Sequence, residues 1–195
     1  MIMVFTLITL TYISTIIMLY IGYNNVKYVK IRTSTVPTST FSIIIPFRNE
    51  ANNLKELINS LNIIDYPKEL FEVIFVNDYS TDSSISIINK YNTLTNTIII
   101  TNERKSVSPK KDAIQTAILK SQFNYIITTD ADCIVPTSWL HAYNSIITDK
   151  HPKFIAAPVT YKDSNKLVEV YQSHDFLSLQ AVTIGAFGLK KPFMC

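Results

Sequence analysis

The sequence predicts an α/β domain with a mostly parallel, Rossmann-like sheet flanked by helices, preceded by one N-terminal transmembrane helix. Three observations predict it. Residues 1–26 carry no charged side chain. From Phe41 onward, short apolar runs alternate with amphipathic helical patterns at about 25–30 residues per unit, the rhythm of a parallel sheet. The 195-residue chain is 47% hydrophobic and 17% charged, with mean hydropathy +0.17. That charged share falls below the roughly 25% of a typical soluble domain. It excludes a disordered chain and points to partial membrane residence.

The N-terminal run MVFTLITLTYISTIIMLYIGY satisfies the need for about 20 apolar residues to cross a bilayer. Thr6, Thr9, Thr11, Ser14 and Thr15 dilute it, but their hydroxyls can bond back to the helix backbone. Tyr20 and Tyr23 suit the interfacial belt, and Lys27, Lys30 and Arg32 follow. The positive-inside rule then predicts a cell-membrane protein with a single N-terminal span and its soluble domain on the cytoplasmic side. A cleaved signal peptide would place basic residues before a run of about 7–15 apolar ones; here they come after a longer run. The expected domains are an anchor over 1–26, a basic and polar linker over 27–40, and the soluble domain over 41–195.

Each later element has its own signal. Phe41–Pro46 is a continuous apolar run closed by proline, as a strand covered on both faces would be. Glu50–Leu61 is helical, with Leu54, Leu57, Ile58 and Leu61 on one face. Phe71–Asn77 is a second strand. Thr81 or Asp82 can cap a helix over Ser83–Tyr91. Thr97–Thr101 is a third strand, Lys111–Ser121 a helix, Tyr125–Thr129 a fourth strand, Ser138–Thr148 a helix and Phe154–Val159 a further strand. Residues 167–189 are apolar but interrupted by Glu169, His174 and Asp175. They predict a strand or helix lying at the membrane surface rather than a second span.

Composition excludes several functions. The only glycines are Gly22, Gly185 and Gly188, so neither a Walker A loop nor a dinucleotide fingerprint can exist. A net charge of +3 is too mild to argue for nucleic acid. Cys133 and Cys195 form neither a disulfide framework nor a zinc spacing.

Ligands of parallel sheets bind beyond the carboxyl ends of the strands. The four segments that fall there are PFRNE (46–50), DYSTD (78–82), a basic stretch with Arg104, Lys105, Lys110 and Lys111, and DAD (130–132). Asp130 and Asp132, one residue apart behind an apolar strand, can converge on a hard divalent cation such as magnesium or manganese. Aspartates are also common in turns, so position carries the argument. Asp78 can accept hydrogen bonds from a base or ribose. Lys110 and Lys111, opening a helix after Pro109, can meet phosphate beside the positive end of that helix. Glu50 is an early-turn acid or a ribose contact, which spacing does not separate.

FSIIIPFRNEANNL, VNDYSTDSS, SPKKDAI and TTDADCIVP, in this order, resemble the family 2 glycosyltransferases of the GT-A fold. The tail SHDFLSLQAVTIGAFGLKKPF is similar to membrane-associated bacterial members. The resemblance implies a nucleotide-diphospho-sugar donor, a divalent cation (Mn2+ or Mg2+), a saccharide or lipid-linked acceptor, and inverting transfer. It implies that Pro46, Phe47 and Glu50 line the nucleoside pocket and that Asp78 contacts the base. Lys111 or Lys110 is then the basic residue near the donor. Asp130 and Asp132 are the DxD pair, with Asp132 the direct metal ligand.

Three departures qualify the match. Ser108-Pro109 stands where the family often has glycine before the lysine, Asn77 replaces the first acid of its usual VDD, and residues 160–195 hold no counterpart of its later acidic and RW-type motifs. The chain is therefore expected to be the donor-binding part, with the general base beyond Cys195. A membrane-tethered domain that binds nucleotide-sugar without turnover fits the same motifs. A DxD phosphatase fits poorly, because it needs the motif on its first strand, with the first Asp as nucleophile.

Overall fold

The computed structural model describes residues 2–26, 36–161 and 166–191. Its elements are α1 (Ile2–Asn25), β1 (Phe41–Phe47), α2 (Leu54–Asn62), β2 (Phe71–Asn77), α3 (Ser84–Tyr91), β3 (Thr97–Thr101), α4 (Pro109–Ile118), β4 (Tyr125–Thr128), α5 (Trp139–Lys150) and α6 (Leu167–Gly188). They form two compact units, Ile31–Pro152 and Met1–Lys30 with Lys153–Cys195.

Within Ile31–Pro152 the four strands form one sheet in the order β3-β2-β1-β4, every pair parallel. Ile43, Ile44 and Ile45 of β1 are all fully buried, as are Val73, Ile74 and Phe75 of β2. Successive strand residues face opposite sides, so both faces of the sheet centre are covered. On one face Ile44, Ile74 and Val76 meet Ala113 and Ala117 of α4, whose small side chains let that helix lie close. Each fully buried aliphatic side chain contributes roughly 1.5–3 kcal/mol relative to exposure. The four apolar positions of α2 singled out by spacing (Leu54, Leu57, Ile58, Leu61) are all buried.

The register aligns the functional edge. Phe47 stands opposite Asn77, and Asn77 opposite Thr101, so β1, β2 and β3 end together. On the other side of β1, Thr128 pairs with Ile44. A buried polar clasp fixes the start of β4. The Ser42 hydroxyl donates to Glu72 at 2.5 Å, the Gln122 amide donates to the same carboxylate oxygen at 2.6 Å, and the Phe123 amide donates to Ser42.

Two expectations change in detail. The second helix begins at Leu54 rather than Glu50, because Asn49 adopts a left-handed φ of 56° and residues 51–53 form a turn. The end of the supposed linker belongs to the fold. Ser39 is buried, Asn144 accepts the amides of Thr38 and Ser39, and Tyr66 donates to the Ser39 carbonyl. Burial pushes the Tyr66 phenol up to about 12. The rest of that linker, 27–35, including Lys27, Lys30 and Arg32, lies outside the described residues, as does Cys195.

In the other unit, α1 is long and apolar enough to cross a membrane, with mean hydropathy 2.2 over its most apolar window. Its threonines bond back as their positions predicted. Thr6, Thr9 and Thr15 donate to the carbonyls four residues earlier at 2.8–2.9 Å, so the hydroxyls do not interrupt an apolar surface. Residues 167–189, expected as a strand or helix, form α6. All three glycines of the chain meet where α1 and α6 cross. A Cβ on Gly22 would meet the Gly185 carbonyl oxygen at 2.1 Å, and one on Gly188 would meet the Gly22 carbonyl oxygen at 1.8 Å. The expected strand at Phe154–Val159 does not form. Both backbone polar groups of Val159 are instead taken by the side-chain amide of Gln180 on α6, which leaves none for a ladder.

Candidate functional site

The loops after β1 and β2 are laced together. The Asn49 side chain accepts the Thr81 amide at 2.8 Å, and its own amide donates to the Ser80 hydroxyl. The Glu50 amide donates to Ser84, and the Ala51 amide to Asp82. Asp82 also accepts the Ser84 amide, although the cap position of α3 is Ser83 rather than the expected Thr81 or Asp82. Its carboxyl is held below its ordinary value, first by Ser84. The Asn49 and Asp82 side chains thus tie the two loops together.

Asp78 sits at the centre of this edge, 6% exposed. Arg104 grips it with two hydrogen bonds, Nε to Oδ1 at 2.7 Å and Nη2 to Oδ2 at 2.6 Å. Asn102 adds a third at 2.7 Å, and Arg48 stands 3.9 Å away. Such forked, charge-assisted pairs are the strong class of hydrogen bond. The Arg104 bonds, with help from Asn102 and Arg48, hold the Asp78 carboxyl below its ordinary value of 3.8 against the opposing effect of burial. The Tyr79 ring lies over the Arg104 guanidinium at 5.1 Å, on a backbone with φ 59°. A bulky residue in that region is a genuine outlier.

Lys110, in the first turn of α4, reaches Asp130 at 2.5 Å. In the DAD segment Ala131 is buried, while Asp130 and Asp132 are exposed. With the middle residue buried, both carboxylates stay open to solvent. Among the described residues Asp132 meets one polar side chain, the Cys133 thiol at 3.9 Å, too weak a donor to satisfy a carboxylate.

The topology therefore brings Glu50, Asp78, Lys110, Asp130 and Asp132 to one sheet edge, with Pro46 half-buried behind them. Two of the expected site residues take particular positions. The Phe47 ring is 3% exposed and packs on Phe75. Strand alternation sends its ring into the core, and its carbonyl accepts the Asp78 amide. Lys110, not Lys111, contacts the DxD segment, because adjacent helical residues point about 100° apart. Glu50 is engaged by the Asn53 side chain at 2.7 Å.

Arg104, Asn102 and Asp112 are the residues that spacing did not single out for a role. Arg104 had a signal, a basic side chain just past a strand end. Buried Asn102 and Asp112 had none, because neither type announces its partners in sequence.

The donor set fits a divalent cation shared with a ligand. Among the described residues Asp132 has no cationic partner, and Asp130 is held by a single lysine. No cluster of three or more His, Cys, Asp or Glu among those residues could make an all-protein cage. One or two carboxylates plus substrate oxygens is the usual magnesium arrangement.

The four-stranded, wholly parallel sheet flanked by helices is GT-A-like. Residues 42–190 match Glycosyl transferase family 2, and the chain belongs to that family. It is 32% identical over 111 residues to the poly(ribitol-phosphate) beta-N-acetylglucosaminyltransferase TarS of Staphylococcus aureus, covering 57% of this chain and 19% of that protein. It is 29% identical over 145 residues to the glycosyltransferase AglE of Haloferax volcanii, covering 72% and 46%. The chain thus spans less than half the length of these relatives. Among solved structures, TarS residues 1–349 superpose with TM-score 0.52 at 27% identity, over 62% of this chain and 39% of that one. The mannosyltransferase PcManGT from Pyrobaculum calidifontis, solved with GDP-Man and Mn2+, shares the fold with TM-score 0.62 at 20% identity, over 75% and 43%.

Proposed function

We propose that this chain binds a nucleotide-diphospho-sugar at the edge formed by β1, β2 and β4 and belongs to an enzyme that transfers the sugar with inversion to a saccharide or lipid-linked acceptor. The observation that carries the reading is the Lys110–Asp130 contact, which ties the basic helix start to the DxD across 20 residues of sequence. Family membership and the TarS structure solved in complex with UDP-GlcNAc support a nucleotide-diphospho-sugar donor.

In this reading Asp132, with Asp130, holds manganese or magnesium, which supplies neutralisation of the diphosphate charge. Lys110 and the first turn of α4 add positive charge beside that phosphate. Asp78, whose two oxygens are taken by Arg104 and Asn102, shapes the base pocket by fixing the Arg104 guanidinium there, and the backbone of Pro46 and Phe47 borders the nucleoside. In the transfer, the acceptor oxygen bonds to the anomeric carbon as the bond to the diphosphate oxygen breaks. The acceptor proton passes to a base that is assigned to no described residue. α1 anchors the chain as a single span with the donor domain on the cytoplasmic side.

Titration calorimetry of the full chain with UDP and GDP, with and without manganese, tests the reading. Manganese-dependent binding of one nucleotide is expected, and binding of neither overturns it. Turnover of labelled nucleotide-sugar separates the enzyme from a membrane-tethered binding domain without catalysis.

A further inference from the structure

The stretch between β3 and α4 departs from the family pattern at Ser108-Pro109, yet it is held in one shape. Its tether is Asp112, one turn into α4 and 2% exposed. One oxygen of this carboxylate accepts the Lys105 amide at 2.8 Å and the Ser106 amide at 2.7 Å. The other accepts the Ser106 hydroxyl at 2.9 Å. Ser106 in turn accepts the Ser108 amide at 3.1 Å, the residue that opens the helix. One turn further on, Thr116 accepts the Glu103 amide. Asn102 closes the other end, donating both to Asp78 and to the Pro109 carbonyl. Each hydrogen bond to Asp112 comes from a neutral N–H or O–H, while Lys111 and Arg104 act on it through space without pairing with it.

This tethered loop delivers two cations to two acids from different strands. Arg104 goes to Asp78 behind β2, and Lys110 goes to Asp130 behind β4. We infer that Asp112 is a positioning residue for donor binding, holding Arg104 and Lys110 in register with the nucleotide edge. The inference rests on the donor-site reading above. Its sign separates it from a plain charge effect. If Asp112 acted only through its negative charge, removing it would tighten binding of an anionic diphosphate. If it positions the loop, removing it weakens binding.

Asparagine can keep the arrangement: its Oδ1 can accept both amides while its NH2 donates to the Ser106 hydroxyl. The test is titration of the full chain with whichever of UDP or GDP the unaltered protein binds in manganese, with thermal unfolding followed alongside. Asp112→Ala is expected to weaken binding roughly tenfold, and Asp112→Asn by no more than about threefold. In an Arg104→Ala background, Asp112→Ala should cost clearly less than its tenfold in the unaltered chain, because one of the two cations it positions is gone. Tighter or unchanged binding in Asp112→Ala, an Asp112→Asn as impaired as the alanine variant, or full additivity with Arg104→Ala would each overturn the inference. Should Asp112→Ala fail to fold, Ser106→Ala carries the test: severalfold weaker binding supports the tether, and unchanged affinity overturns it. An unaltered chain that binds neither nucleotide defeats the donor-site reading itself, and the inference with it.

Discussion

The Lys110 ammonium lies 2.5 Å from the Asp130 carboxylate, while its neighbour Lys111 is exposed and makes no hydrogen bond or ion pair among the described residues. Both side chains are basic and both open α4, yet one faces the DxD and the other does not. Lys110→Ala should weaken nucleotide binding by about ten- to a hundredfold, the range of one lost charge-assisted phosphate bond. Lys111→Ala should change it by less than about twofold. Calorimetric titration of the two variants checks this, and equal losses would mean that the helix start acts only as a diffuse positive field.

The two aspartates should separate in the same way. Asp130 already has a lysine partner, whereas Asp132 approaches only a thiol. Asp132→Ala is expected to abolish the manganese-dependent part of nucleotide affinity, and Asp130→Ala to reduce it. Affinity in Asp132→Ala that still rises with manganese would move the cation elsewhere.

How far the sequence revealed this edge depends on what each residue needs. Asp78, Asp130 and Asp132 were legible because they follow apolar runs directly, and a parallel sheet must gather strand ends. The burial of the Phe47 ring was not legible, because a run buried on both faces, such as FSIIIPF, hides which ring points inward. The choice between Lys110 and Lys111 turned on helix phase, which the uncertain start of α4 left open. The start of α2 moved because Asn49 and Asn53 serve turns, and such side-chain bonds compete with helix locally. Phe154–Val159 was lost because Gln180, far along the chain, satisfies Val159. Partners distant in sequence leave no local trace.

Acid should dismantle the site before the sheet. The carboxyls of Asp78, Asp82 and Asp112 are all held below their ordinary value of 3.8, by Arg104, Ser84 and Ser106 respectively. A depressed carboxyl in the folded state stabilises fully above the unfolded value and loses that contribution as pH falls through the folded one. Stability should therefore be flat from neutral pH down to about pH 4 and fall below it. Chemical unfolding as a function of pH measures this. In Asp78→Asn the acid-dependent loss should shrink, and an unaltered slope would show that Arg104 does not set it.

Asn49 holds a left-handed backbone and accepts the Thr81 amide, two roles that substitutions can divide. Glycine keeps the backbone freedom and loses the acceptor; alanine loses both. Asn49→Gly should cost about 1 kcal/mol and Asn49→Ala about 2–3 kcal/mol. Equal destabilisation in denaturant melts would place the whole cost on the lost hydrogen bond.

The glycine crossing of α1 and α6 makes the last prediction. Two helices can approach this closely only where small residues leave room for the facing backbone. Gly185 illustrates the limit, since a Cβ there would meet the Leu19 carbonyl oxygen at 2.5 Å and further Leu19 backbone atoms within 3.3 Å. Those atoms are main chain and cannot swing aside. Gly22→Leu and Gly185→Val should therefore separate the two helices, whereas Leu179→Phe, at an exposed position of α6, should not. Disulfide trapping between cysteines placed at Leu19 and Ala186 in a membrane-reconstituted chain reads the approach directly. Efficient trapping in the unaltered background and its loss in both glycine variants are expected. Trapping that survives Gly185→Val would mean that the helices are held together by something other than this contact.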